Sequence, residues 1–459
     1  MRPSFAWRIW QVTGRSLSKR YDRALHTPTL TRARVLQAIL RHTQGSHFAS
    51  QHGLHSGLRP ADFAERVPIM DAAALALATT AIRAGAKNVL FGSPTERLVP
   101  TSGSTGPAKL IPMCAASRRE YAQAVTLWGA DLLRCAPGIR QGRAYIATSP
   151  ALDSPYNDAA VPVGYAEDEA YLGPIERRIL GSLIVVPTTV AQLRGAAWRE
   201  TVRQRLFDAT DLSLLSLWHP GYLAALFDAN ECAQLAGRWS KLKVISCWAD
   251  GACRTAAEQL CARFPGARLH AKGLWLTEGV VTIPWRGHHP LALLNGYHEF
   301  EDESGTAVPF ESLQKGARYR VLLTNFAGLY RYRLGDLVEV TDYLHATPCL
   351  RWVGRADSVS DLCGEKLSEA QIERAFARAG ITGDAHLVPV RDTQPPAYQL
   401  VTSDSTPDIA ALEAALQDNP HYRWARQLGQ LGPITHCHRK TDATPSSVHP
   451  HRKSSRLVP

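Results

Sequence analysis

Residues able to do chemistry gather first in the run Thr101-Ser102-Gly103-Ser104-Thr105-Gly106-Pro107-Ala108-Lys109, small hydroxyl and glycine residues closed by a lysine. Gly103 and Gly106 carry no Cβ, so the backbone there can fold tightly and aim several N–H donors at one anion. The hydroxyls of Ser102, Ser104 and Thr105 add donors, and Lys109 adds a mobile point charge. An ammonium about 4 Å from a phosphate oxygen gains roughly 4 kcal/mol at an effective dielectric near 20, enough to hold a phosphate tail without sequestering it. The Gly-Lys-Ser/Thr ending of the common nucleotide loop is absent. A solvated Ser/Gly turn has the same composition, and this run alone does not choose between the two.

Three more clusters could converge on a nucleotide held there. Leu276-Thr277-Glu278-Gly279 follows a strand-like segment and offers a hydroxyl and a carboxylate; Mg²⁺ takes one or two carboxylates and completes its shell with phosphate oxygens and water. Tyr330-Arg331-Tyr332-Arg333-Leu334-Gly335-Asp336 ends on an acid able to accept both ribose hydroxyls. Gly354-Arg355-Ala356-Asp357, with Gly364-Glu365-Lys366 beyond it, places cations where a backbone can rotate between two domains. Each cluster alone also fits an ordinary turn or an exposed linker.

The order and spacing of the four clusters carry more than any one of them. TSGSTGPAK, then TEG, then YRLGD, then GR-A-D before a final small module, resembles the adenylate-forming enzyme superfamily. The match is to the auxin-responsive-promoter family of acyl-acid amido synthetases, particularly its bacterial members, and the stretches Ser246-Cys247-Trp248-Ala249-Asp250-Gly251, Lys272 to Gly279 and Leu323-Thr324-Asn325 through Tyr332 are similar to that family too. The resemblance runs over roughly residues 30 to 435. It implies a two-step reaction: a carboxylate attacks the α-phosphorus of ATP to give an acyl-adenylate and pyrophosphate, and an amine then forms an amide. It further implies that Thr101 to Gly106 and Lys109 cradle the phosphates, that Thr277 lies near the α-phosphate, and that Glu278 places Mg²⁺. Asp336 and Arg355 would bind ribose, Lys366 would reach the phosphates, and Asp357 matches the superfamily's hinge. One departure stands out. The lysine that such enzymes carry after a glycine near the C-terminus has no counterpart at Lys440 or Lys453.

The elements that must position these groups read as follows. Val35, Leu36, Ile39 and Leu40 recur at helical spacing, and an alanine-rich helix covers Asp71 to Ala84. Arg97 to Pro100 supplies a strand into the glycine-rich loop. Apolar runs near 144–146, 183–186, 212–215 and 242–245 alternate with helix-length spacers, which predicts an α/β body with mostly parallel sheet. Beyond residue 290 closely spaced strands predict an antiparallel sheet or small barrel. Ser368-Glu369-Ala370-Gln371 is a capping box starting a helix to about Arg378, and strands at 386–390 and 398–401 and a helix at 407–416 complete a small α+β module. The expected fold is thus α/β, a large N-terminal adenylate-forming domain (1–354) with mixed sheets and a smaller α+β C-terminal domain (355–440), followed by a basic tail (441–459) without stable structure.

The net charge of +11 sits at the ends: residues 1–60 contribute +9 and 436–459 contribute +4, leaving −2 between. The body is nearly neutral, which argues against a specific nucleic-acid surface. No apolar run reaches the roughly 18 residues of a membrane span and no signal core opens the chain, so a cytoplasmic protein is expected, its nine scattered cysteines reduced. Small carboxylic acids and amines or amino acids are the expected substrates. Tyr156, Tyr165 and Tyr171 are candidate walls for the acid. Transfer to coenzyme A, and an impaired nucleotide-binding or scaffold protein, are the competing readings.

Overall fold

The computed structural model describes residues 3–101, 109–147, 159–164, 174–193, 195–355, 359–360, 362–363, 365, 367–383, 385–391, 393–403, 406–427 and 429–438. Ser102 to Gly106, Lys366, Asp357, the three candidate tyrosines and the tail therefore lie outside the described residues.

Strands β1 (Arg97–Pro100) and β2 (Leu110–Met113) form an antiparallel hairpin around the glycine-rich loop, with Pro100 opposite Leu110. The next four strands, β3 (Arg143–Ile146), β4 (Leu212–Ser216), β5 (Val244–Cys247) and β6 (Arg268–Ala271), lie side by side in chain order and are all parallel. Every residue of β4 and β5 is buried, as continuous apolar runs require when both faces of a sheet are covered. The Leu183–Val186 run does not join this sheet as a full strand. Leu183 ends the helix Pro174–Leu183, and Ile184 makes one isolated bridge to Ala144. Its four apolar residues satisfied a strand pattern and a buried helix end equally well.

Strands β7 (Tyr297–Glu301), β8 (Ala307–Val308), β9 (Arg318–Thr324), β10 (Tyr332–Leu344) and β11 (Thr347–Arg355) make a five-stranded antiparallel sheet in the order β11-β10-β9-β7-β8. The short pair β12 (Val359–Ser360) and β13 (Leu367–Ser368) leads into the helix Glu369–Arg378, whose N-cap Ser368 and Gln371 form the expected capping box. Strands β14 (His386–Val390) and β15 (Ala397–Thr402) pair antiparallel, and β16 (Thr435–His438) joins β15 in parallel.

Three apolar cores organise these elements. One binds the N-terminal helices Pro3–His26 and Pro28–Thr43 and the helix Ala115–Cys135 to the antiparallel sheet, through Leu36, Ile39, Trp128 and Tyr332 among others. A second lies under the helices Gly195–Asp208 and Arg254–Ala262 against the parallel sheet. The third is confined to residues 367–434. Among the described residues no helix is long and apolar enough to cross a membrane.

Candidate functional site

Two of the sequence motifs leave the carboxyl ends of adjacent parallel strands. Ser246 to Gly251 continues from β5, and Lys272 to Gly279 continues from β6. Loops in that position border the ligand crevice of open α/β sheets. Lys272 is buried there; its Nζ donates to Ser216 Oγ at 2.7 Å and lies 4.7 Å from the ring centroids of both Trp128 and Trp218, which ties the end of β6 to the end of β4.

The Thr277–Glu278 pair forms the tip of a tight reversal: Leu276 N–H donates to Gly279 O at 3.0 Å, Gly279 N–H returns to Leu276 O at 3.2 Å, and Trp275 bridges Val280. Thr277 is exposed and Glu278 half-buried. The tip is fastened from the antiparallel sheet, because Asn325 Nδ2 donates to the Glu278 carbonyl at 2.7 Å. Gly279 is needed at this junction, since a Cβ on it would stand 2.7 Å from Leu323 Cδ2 and 3.1 Å from Asn325 Nδ2.

Lys109 and Thr101 close the glycine-rich loop: Thr101 N–H donates to Lys109 O at 2.8 Å, and Lys109 N–H donates to Thr101 Oγ1 at 3.2 Å. The Lys109 ammonium lies 5.8 Å from the centroid of Tyr332, the first residue of β10, and Tyr332 is paired with Leu323 on β9. Lys109 thus reaches the same end of the antiparallel sheet that holds the Glu278 tip.

The YRYRLGD cluster divides into an anchored part and an irregular one. Tyr330 Oη donates to Leu90 O at 2.6 Å. Arg331, at φ +50°, sends its guanidinium to Glu299 at 3.1 Å and to the carbonyls of Ala64 and Val67 at 2.6 and 2.8 Å. Arg333 forms a two-pronged pair with Glu301, 2.9 and 2.8 Å. Past Arg333 the pairing with β9 shifts register until Leu337, around Gly335 at φ +75°, and such an irregularity re-aims the intervening side chains. Asp336 sits in it, opposite Arg355 on β11, 1% exposed, and accepts Trp352 Nε1–H at 2.8 Å. Trp352 also packs on the β5 loop, where a Cβ on Gly251 would fall 2.4 Å from its ring. In that loop burial pushes the Asp250 carboxyl above its ordinary value, against His289 and Arg254, which draw it down.

Farther on, Glu365 anchors the turn that precedes Lys366. Burial alone would raise its pKa, but the Tyr398 hydroxyl and the amides of Leu362 and Cys363, at 2.7 and 2.8 Å, prevail and hold it below the ordinary carboxylate range.

The structure therefore links Thr101 and Lys109, through Tyr332 and Leu323, to the Thr277–Glu278 tip at one end of β9 and β10; Asp336 stands farther along β10, beside Trp352 and opposite Arg355 on β11. Trp352 was not singled out from the sequence, since an indole within a strand does not by itself signal chemistry; Asn325 entered only as part of a stretch resembling the family, with no role attached.

The family model for the GH3 family N-terminal domain matches residues 17–196, and that for the GH3 family central domain matches residues 291–355, together more than half of the chain. The chain belongs to the GH3 family. Among curated relatives of this GH3 chain, a probable indole-3-acetic acid-amido synthetase of Oryza sativa subsp. japonica is 35% identical over 121 residues, 26% of this chain and 18% of the rice enzyme. A jasmonoyl–L-amino acid synthetase of Nicotiana attenuata is 33% identical over 97 residues, 21% of this chain and 17% of that enzyme. The matched stretches thus span less than one fifth of these relatives. Whole-fold likeness is broader: a solved acyl acid amido synthetase in complex with 2,4-DB superposes with a TM-score of 0.80 at 17% identity, covering 98% of this chain and 94% of that one. A 2-hydroxyisobutyryl-CoA ligase in its postadenylation state superposes at 0.57 with 16% identity, covering 96% and 90%. The fold is that of the adenylate-forming enzymes.

Proposed function

We propose that this GH3 chain is an ATP-dependent ligase that activates a small carboxylic acid as its adenylate and passes the acyl group to an amine or amino acid. The observation that carries the reading is the contact path joining Lys109, through Tyr332 and Leu323, to the Thr277–Glu278 tip, with Asp336 farther along β10. In the first step an acid oxygen attacks the α-phosphorus and pyrophosphate leaves. In the second the amine nitrogen attacks the acyl carbon, AMP leaves with the bonding pair, and the nitrogen loses a proton. Neither step asks for a protein nucleophile; positioning and charge neutralisation suffice.

Each residue has a part in this reading. Thr101 to Gly106 and Lys109 hold the phosphates, Thr277 lies against the α-phosphate, Asp336 and Arg355 take the ribose hydroxyls, and Lys366 reaches the phosphates when residues 355–440 swing about Asp357 as a mobile domain. The residues fit Mg²⁺ carried in by the nucleotide: among the described residues no group of three His, Cys, Asp or Glu could hold a metal unaided, whereas Glu278 supplies the one carboxylate that Mg²⁺ needs beside phosphate oxygens. When bound, the ion would neutralise charge on the leaving pyrophosphate. All nine cysteines are free, which suits a reducing cytoplasm. The affinity to bacterial members read from the motifs finds no support among the relatives named above, which are plant enzymes.

The test is ATP–pyrophosphate exchange over a panel of carboxylic acids. At least one acid stimulates exchange, Lys109→Ala removes the stimulation, and amines rather than coenzyme A discharge the adenylate. ATP binding by folded protein with no exchange from any acid overturns the proposal in favour of an impaired nucleotide binder, and discharge by coenzyme A alone replaces amide with thioester formation.

A further inference from the structure

The first helix, Pro3–His26, is pinned to the body along one side and offers the other to solvent. Trp7, Trp10, Gly14, Tyr21 and Leu25 are buried, and two of them bond far along the chain: Trp7 Nε1–H donates to Gly142 O at 3.1 Å and Tyr21 Oη–H to Leu291 O at 3.0 Å. On the opposite side Phe5, Arg8, Val12, Arg15, Lys19 and Arg23 are all exposed. Their spacings of three and four residues stack them in a single line, about 27 Å long at the helical rise, and the exposed Arg20 flanks it. Arg23 lies back along the line, its Nε–H donating to Lys19 O at 3.3 Å. The charge of this face has one sign. Asp22 is the helix's sole acid, and it turns to the body, where it accepts from Trp285 Nε1–H and from Arg286, each at 2.9 Å. Nor is the face purely polar, since Phe5 and Val12 are each 58% exposed among the cations.

We propose that this helix face docks on an anionic lipid surface, its cations against the headgroups and Phe5 and Val12 set between them. Arg8, Arg15, Lys19, Arg20 and Arg23 fall within the roughly four to eight basic residues by which a helix recognises acidic headgroups. The apolar pair favours a surface with an apolar layer beneath its charge over a nucleic-acid backbone, which offers charge alone. A second copy of the chain does not fit, because two-fold pairing of this face would set cation against cation. The helix is already folded and fastened, so docking costs little ordering. Its buried side stays in the core, which makes the contact peripheral and sensitive to salt. None of the residues placed in the ligase reaction lies on this face, and the proposal does not rest on that reaction.

The test is co-sedimentation of the full chain with vesicles of phosphatidylcholine alone or with about one third phosphatidylserine, at about 0.1 M and about 1 M salt, between which the screening length falls from ~10 to ~3 Å. The chain binds the acidic vesicles at the lower salt, binds neutral ones at least about tenfold more weakly, and is released at the higher salt. Arg15→Glu combined with Lys19→Glu weakens partitioning into acidic vesicles by more than about twentyfold, and Phe5→Ser weakens it by roughly tenfold. Both variants keep the wild-type melting temperature, because the altered side chains are exposed; should the double variant melt early, Arg15→Gln combined with Lys19→Gln takes its place with at least about tenfold weakening. No binding to acidic vesicles at the lower salt overturns the proposal, as does equal binding to neutral ones or a folded charge variant that binds like the wild type. Binding that a duplex DNA fragment competes away while Phe5→Ser leaves it unchanged also overturns it, and makes the line a nucleic-acid surface instead.

Discussion

Replacing Glu120 by glutamine removes one titration while leaving the side-chain shape almost unchanged, and its effect on stability follows from where that proton sits. In the folded protein burial holds the carboxyl at about 8, against an ordinary value of 4.5. The folded state therefore keeps a proton that the unfolded chain releases. The stability this provides is fully present below pH 4.5 and is lost as pH rises through 8. Each unit of that interval is worth about 1.4 kcal/mol, so between pH 5.5 and 7.5 the wild type loses on the order of 3 kcal/mol that Glu120→Gln keeps. The measurement is chemical denaturation of both proteins across pH 5.5 to 8.5, read as the difference between them so that every other titrating group cancels. A difference that stays flat over this range would refute the buried, neutral carboxyl and with it the reasoning that glutamine can replace it.

Other expectations concern the site and its scaffold. Asp336→Ala strands the Trp352 Nε1–H that now finds an acceptor at 2.8 Å; thermal denaturation should show a loss of about 1–3 kcal/mol, and exchange activity should fall more than stability explains, with the KM for ATP raised. Gly279→Ala forces a Cβ against Leu323 and Asn325, so it should cost about 1–3 kcal/mol and raise the Mg²⁺ requirement without altering the acid KM. Arg331→Ala leaves Glu299 enclosed without its cation and two carbonyls without a donor; a loss of roughly 3–5 kcal/mol, seen as poor soluble yield and early melting, is the expected outcome. His298 is enclosed, and burial lowers its pKa to about 4 even though its Nε2–H donates to Val280 O. Its contribution is present above pH 6.5 and lost as pH falls through 4, so His298→Gln should flatten the acid limb of the denaturation curve.

Local patterns in the sequence carried the architecture well where one period applied along a whole element. The alternating texture beyond residue 290 became β7 to β11, and Ser368 with Gln371 capped its helix as the box requires. Leu183–Val186 misled because four apolar residues are too few to separate a strand from the buried end of a helix. Among the candidate site residues, Lys109, Glu278 and Asp336 stand out by type alone, as a cation and as carboxylates beside glycine. What was not legible is who holds them. The partners lie 16 positions away for Asp336 and Trp352 and 47 for Glu278 and Asn325, and no local pattern records a pairing made across adjacent strands or between a loop and a strand end. The roles of Arg331 and Arg333 were hidden for the opposite reason, because a charged side chain in a motif invites a ligand even when its target is a carboxylate on β7, beyond β9 in the same sheet.

The division within Tyr330 to Asp336 has a practical corollary for anyone redesigning this segment. Tyr330, Arg331 and Arg333 are committed to the scaffold, through Leu90, Glu299 and Glu301 in turn, and the Tyr332 ring is buried, so a saturation library spread evenly over the seven would spend many of its members on misfolded protein. Past Arg333 the ladder to β9 is interrupted, but Gly335 at φ +75° and the buried Leu334 and Asp336 restrict that stretch as well.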